Sequence, residues 1–248
     1  MNPYLAESIG TALLVLFGNG VVANIVLTKT KGNGGGWICI TAGWAFAVAI
    51  AVFAVGRISG AHLNPAVTLA LASIGTFDAQ LVAGYILAQM AGAFFGAVLV
   101  YLSYLAHWAP TTDAGAKLAC FSTAPAIRSN GPAIVTEFIG TGALVFCVLA
   151  FGKVVAGANT DQAAWAATVG LWFGPALVGL LVFGLGLSLG GPTGYAINPA
   201  RDLGPRLAHA VLPIAGKGSS DWSYAWVPVV APILGGVAGA QLFKLLDL

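Results

Sequence analysis

Charge is what this chain has least of. Eight acidic and ten basic side chains among 248 residues make only 7% of the sequence, where a soluble domain carries about 25%. So few charges cannot cover a folded body in water, which excludes a soluble globular protein. A net charge of +2 with no basic run leaves nothing to hold a polyphosphate backbone, so nucleic acid is excluded as a partner. Cysteine is equally scarce: Cys39, Cys120 and Cys147 have neither paired nor metal-ligand spacing, so no disulfide framework and no metal site is expected. They read instead as small buried apolar residues. The three histidines, His62, His107 and His209, fall in separate segments, and no serine or cysteine sits in a recognised nucleophile setting. An enzyme is therefore not expected, and no cofactor is implied.

Apolar length is what the chain does have. Hydrophobic residues make up 58% and mean hydropathy is +0.91. Crossing about 30 Å of hydrocarbon takes roughly 20 helical residues, and runs near 4–27, 37–56, 81–105, 131–152, 164–188 and 224–246 are long enough. The expected class is an all-α membrane protein seated in a lipid bilayer. The first run has no basic residue before it and contains Glu7, so it reads as a span rather than a removable leader. Lys29, Lys31, Lys117, Arg128 and Lys217 follow spans one, three and five, against Arg57, Lys153 and Lys244 on the other side. The positive-inside rule alone would place the first group in the cytoplasm.

The sequence also repeats itself. "AESIGTALLVLFG" at 6–18 matches "TEFIGTGALVFCV" at 136–148, setting Glu7 over Glu137. "GRISGAHLNPAVTLAL" at 56–71 matches "GGPTGYAINPARDLGP" at 190–205, setting Asn64 over Asn198. "AQMAGAFFGAVL" at 88–99 matches "APILGGVAGAQL" at 231–242, setting Gly92 and Gly96 over Gly235 and Gly239. Three spans per half is an odd number, so the second half enters the membrane upside down. The expected organisation is one channel domain, 1–248, of two inverted repeats at about 4–105 and 131–246. The paired glycines fit close helix contacts within the fold.

The two Asn-Pro-Ala copies, Asn64-Pro65-Ala66 and Asn198-Pro199-Ala200, each precede a short helix-competent run. Asparagine suits the N-cap and proline the first helical position. About ten helical residues cover 15 Å, half the hydrocarbon, so two such half-helices meeting end to end make one composite crossing. Gly60–Leu63 and Gly194–Ile197 before them are expected to be extended, with a ladder of carbonyl acceptors at Gly60, Ala61, His62, Gly194, Tyr195 and Ala196. Backbone that is not helical survives in a bilayer only if buried in protein or lining a watery path. Glu7 and Glu137, isolated in apolar spans, are expected to accept hydrogen bonds from the N–H groups of these loops. Two helix N-termini and two carboxamide donors at the centre favour a neutral hydroxylated permeant and repel cations.

"SGAHLNPAVT", "NPARDLGPR" and the pair "ESIGT" and "EFIGT", on a six-span layout, resemble the major intrinsic protein (aquaporin) family along nearly the whole chain. The resemblance implies cytoplasmic termini, against the lysine and arginine count, a place in the cell (plasma or inner) membrane and a homotetramer with one pore per subunit. It implies a narrow filter whose four positions fall on Trp44, Gly186, Tyr195 and Arg201. Arg201 offers a planar pair of donors to a permeant's oxygens, the bland alternative being an ion pair with Asp202. A Trp-Gly pair, where strict water channels have Phe and His, is expected to widen the filter and leave one wall apolar. Asp202, Arg206, Tyr104, Pro232 and Ile233 resemble the glycerol-facilitator branch, while Tyr195 departs from the phenylalanine common there. The reading is thus a passive channel for glycerol and water that excludes protons and ions. A water-selective or general small-solute channel (urea, ammonia, hydrogen peroxide) stays open, and a secondary transporter is the distant rival.

Overall fold

The computed structural model describes residues 1–156 and 163–247; residues 157–162 and Leu248, inside the expected range 1–248, lie outside the described residues. Ten α-helices account for almost all regular structure, and no strand occurs among the described residues. In chain order they are α1 (Pro3–Val26), α2 (Gly36–Ser59), α3 (Pro65–Ser73), α4 (Val82–Ser103), α5 (Leu105–Trp108), α6 (Ala114–Ala119), α7 (Asn130–Ala156), α8 (Ala163–Leu189), α9 (Pro199–Val211) and α10 (Val227–Leu245). Among the described residues six helices are long and apolar enough to span a bilayer, and they coincide with the six expected runs to within a few residues at most ends. The run at 224–246 loses its first turn: residues 222–226 form turns, and α10 begins where Pro228 fits the first helical turn, whose N–H groups have no partner within the helix anyway.

The two short helices explain the odd span count. At 9 and 13 residues, α3 and α9 rise about 14 and 20 Å. Their N-caps are Asn64 and Asn198, each in extended geometry with proline next. Each cap asparagine reaches across to the other loop: Asn64 Nδ2 donates to the Ile197 carbonyl and Asn198 Nδ2 to the Leu63 carbonyl, both at 2.8 Å. The two N-termini therefore face each other in the interior. Packing also crosses between halves, with α3 against α10 and α9 against α4.

The paired glycines lie where helices touch backbone to backbone. A Cβ on Gly92 or Gly96 would strike the carbonyls of Ser8 and Ala12 in α1, and one on Gly235 or Gly239 those of Phe138 and Gly142 in α7. Only glycine admits that approach. One cysteine departs from expectation: Cys120 is buried and Cys147 half-buried, but Cys39 is exposed on α2. The apolar sequence around it fits an outer, hydrocarbon-facing surface as well as an inner one, because lipid and core ask for the same side chains.

Candidate functional site

The loops before α3 and α9 are not extended. Gly60, Ala61 and Leu63 have φ of 82°, 49° and 51°, and Gly194, Tyr195 and Ile197 have 79°, 37° and 41°. In a strand successive residues face opposite ways, so carbonyls aimed along one path require these left-handed residues. Positive φ at four non-glycine positions costs of order 1–3 kcal/mol each and persists only where surroundings over-determine it.

Those surroundings are the two buried glutamates. Glu7 Oε1 accepts from Ser59 Oγ at 2.7 Å and His62 N at 3.0 Å, and its Oε2 from Leu63 N at 2.7 Å. Glu137 Oε1 accepts from Thr193 Oγ1 at 2.6 Å and Ala196 N at 2.9 Å, and its Oε2 from Ile197 N at 2.7 Å. Both carboxylates are fully buried. With their N–H groups turned to a carboxylate, the loops keep their carbonyls free. Among the described residues, none of the carbonyls of Gly60, Ala61, His62, Gly194, Tyr195 or Ala196 accepts a hydrogen bond, while those of Leu63 and Ile197 are taken by the asparagines.

A cavity of about 140 Å³ runs between these loops, lined by Asn64, Asn198, Arg201, Trp44 and apolar residues of α1, α2, α7 and α8. One water needs only about 10–15 Å³ by that measure. Ala61, His62, Tyr195 and Ala196 border it, as does Gly60. Gly194 stands back from it, its N–H donating to the Gly190 carbonyl at 2.8 Å. Each asparagine spends one of its two carboxamide hydrogens on the opposite loop and its Oδ1 on its own helix cap. One N–H per asparagine is left over.

Arg201 is buried, with its guanidinium carbon 4.1 Å over the Trp44 ring. It does not pair with Asp202, which takes Arg206 instead at 2.8 Å. The Arg201 Nη1 finds no partner among the described residues, and the Trp44 ring below it packs onto Gly18, filling the space that a Cβ there would need.

Gly186 sits differently from what the sequence suggests. It is not among the cavity-lining residues: a Cβ there would stand 2.8 Å from Tyr195 Cζ and 2.9 Å from its Oη. The space freed by the missing side chain is thus shared by the Tyr195 ring and the Thr41 methyl, 2.7 Å from the same point, so the glycine seats that ring rather than widening the path by itself. The Tyr195 hydroxyl is buried with no hydrogen-bond partner among the described residues and stands close against Gly186. Trp37 completes the seat, its indole N–H donating to the Gly186 carbonyl at 2.9 Å and its ring standing edge-on to Tyr195 at 5.9 Å.

The remaining expected residues lie apart from the cavity. Asp202 and Arg206, both fully buried, tie α9 to the connections outside it: Thr123 N and Oγ1 each donate to Asp202 Oδ2 at 2.7 Å, and Arg206 Nη1 and Nη2 donate to the carbonyls of Ser220 and Thr123 at 2.7 and 2.9 Å. Tyr104 donates to the Gly20 carbonyl at 3.1 Å. Pro232 is buried and Ile233 half-buried within α10. Sequence reasoning missed Ser59, Thr193, Trp37 and Gln89. The hydroxyls were legible in the Ser-Gly and Thr-Gly pairs that open each motif, and Trp37 lies two helical turns before Trp44. Gln89 left no signal beyond being a lone amide in an apolar span.

The connections around α9 also engage several of the basic residues counted in the sequence. Lys217 Nζ donates to the carbonyls of His209, Ala210 and Leu212 at 2.7–2.8 Å, capping α9. Lys117 Nζ meets the Ala215 carbonyl. Arg128 forks onto Asp221 at 2.5 and 2.7 Å and holds that carboxyl below its ordinary range.

A family model described as major intrinsic protein matches residues 1–243. The chain is 57% identical over 246 residues to a probable glycerol uptake facilitator protein of Thermotoga maritima, covering 98% of this chain and 99% of the relative. It is 53% identical over 244 residues to the glycerol uptake facilitator protein of Bacillus subtilis, covering 98% and 84%. The X-ray structure of the aquaglyceroporin from Plasmodium falciparum superposes with a TM-score of 0.82 at 31% identity, covering 99% of this chain and 98% of that one. With a paired half-helix fold, the facing asparagine caps and a family match along nearly its whole length, this chain belongs to the major intrinsic protein family and is an integral membrane protein.

Proposed function

We propose that the chain is a passive channel for glycerol, with water as second permeant, and not an enzyme or an ion-coupled transporter. The observation that carries this is the juxtaposition of Arg201 over Trp44 on a path bordered by free carbonyls. A polyol has an apolar carbon edge and a row of hydroxyls. Its carbons can slide on Trp44 and the Tyr195 ring while its hydroxyls donate to loop carbonyls and accept from Arg201 and then from Asn64 and Asn198. Both chemically related relatives are named for glycerol uptake. At the centre, the leftover N–H groups of the two asparagines point a permeant's oxygen inward, so its own hydrogens face carbonyls on either side. A water chain is then broken in direction, and the facing helix N-termini, each worth roughly half a positive charge, repel cations.

On this reading Trp44, Tyr195 and Arg201 line the filter, with Gly186 behind the Tyr195 ring, and Glu7 and Glu137 hold the loops. The chain is one domain of two inverted repeats, with Gly92 and Gly96 answering Gly235 and Gly239. Family membership further supports a homotetramer in the cell membrane with cytoplasmic termini. Lys117, Arg128 and Lys217 are tied to the connections of the fold rather than left free, so they weigh less against that orientation than a bare count suggests.

The test is light scattering from proteoliposomes in a glycerol gradient and, separately, in sucrose. Re-swelling in glycerol should far exceed that of protein-free vesicles and ignore imposed sodium or proton gradients. Fast shrinkage in sucrose with no glycerol re-swelling would replace the reading by a water-selective channel, and flux that follows an ion gradient would replace it by a transporter.

A further inference from the structure

We propose that Gln89 in α4 and the Asp202–Arg206 pair in α9 are two different anchors for the same turn of the two half-helices, positioning Asn64 and Asn198 respectively. The inference rests on the pairing of the two halves. Gln89 is fully buried, and its Nε2 donates at once to Glu7 Oε2 at 2.8 Å and to Thr68 Oγ1 at 3.0 Å. Thr68 Oγ1 in turn donates to the Asn64 carbonyl at 3.1 Å and stands 3.1 Å from His62 Nδ1. One neutral carboxamide thus joins α4 to the carboxylate that holds the loop and to the first turn of α3.

The register that sets Asn64 over Asn198 sets Thr68 over Asp202, and the register that sets Gly92 over Gly235 sets Gln89 over Pro232. Pro232 is buried and has no side-chain donor. Glu137 accordingly receives three hydrogen bonds where Glu7 receives four. A hydroxyl at 202 would have no amide to meet. The carboxylate found there instead draws its own donors, two from Thr123 and two from Arg206, and Arg206 continues to the carbonyls of Ser220, Asp221 and Thr123. The first half-helix is therefore fastened from within the helical bundle and the second from the connections outside it. The residues at 202, 206 and 232 form one coupled choice.

Hydrogen–deuterium exchange of the full-length protein in detergent micelles reads this without any transport, so its outcome is separate from that of the channel reading. Gln89→Met should speed exchange over residues 61–68 by on the order of tenfold, the loss of two buried hydrogen bonds, and move 195–204, which meets that stretch through the two asparagine contacts, far less in the same molecule. Arg206→Met should do the reverse. Asp202→Thr with Arg206→Met should leave 195–204 unprotected, and adding Pro232→Gln should return protection to within about threefold of the parent, because it transplants the first anchor into the second half. Equal loosening of both stretches by Gln89→Met, or no gain from Pro232→Gln, would overturn the proposal.

Discussion

Replacing Glu137 by glutamine keeps shape and volume and removes one acceptor. Glu137 receives three donors, two on Oε1 and one on Oε2. A carboxamide has one oxygen, so at best it keeps Thr193 and Ala196 and turns its NH₂ toward the Ile197 N–H. That loses one charge-assisted bond, about 1.5–3 kcal/mol, and leaves a buried donor facing a donor, about 1–3 kcal/mol more. A total of about 2.5–6 kcal/mol is expected, released on a loop already holding Tyr195 and Ile197 at positive φ. Thermal unfolding in micelles should fall by on the order of 10 °C, and glycerol flux per protein should drop with it. Glu7→Gln should be milder. The Oε1 of Gln89 is buried and has no partner among the described residues, so rotating that amide offers the new NH₂ an acceptor. A Glu137→Gln protein with parental unfolding temperature and flux, or one more stable than Glu7→Gln, would refute the idea that the carboxylates hold the loops.

Gly186→His should abolish glycerol and water flux together, since its Cβ alone meets Tyr195 below 3 Å; adding Tyr195→Ala should restore water shrinkage in sucrose but not glycerol re-swelling. Arg201→Val removes the cation above Trp44, an interaction of about 2 kcal/mol when desolvated, and should admit a proton leak detectable with a pH dye inside the vesicles while water still passes. The Arg128–Asp221 pair gives a pH prediction. A depressed carboxyl pKa contributes stability above the ordinary value of about 3.9 that is lost as pH falls through the depressed one. Flux and exchange protection at 219–224 should therefore stay level down to about pH 4 and fail only in stronger acid. Arg128→Ala should lower exchange protection at 219–224 already at neutral pH and flatten its acid dependence, because a carboxyl with an ordinary pKa in both states contributes none.

Composition and spacing alone determined the class, the six spans, the two half-helices and the identities of the facing asparagines. These follow from one-dimensional quantities: apolar run length against bilayer thickness, N-cap and first-turn chemistry, and an odd span count that forces inversion. Glu7 and Glu137 were legible for a related reason, since a carboxyl in an apolar span must find donors nearby. Three things depended on the third dimension. The loops before the half-helices carry left-handed residues rather than running extended throughout, because aiming carbonyls along one path is a demand of the pore and not of the local sequence. Gly186 seats Tyr195 instead of opening the filter, because what fills a missing side chain's space is decided by a residue on another segment. Gln89, Thr123 and Ser220 act through partners 82, 79 and 14 residues away, and separations of that kind leave no periodicity to read. Length and caps are properties of a segment, whereas who satisfies a buried polar atom is a property of the packed whole.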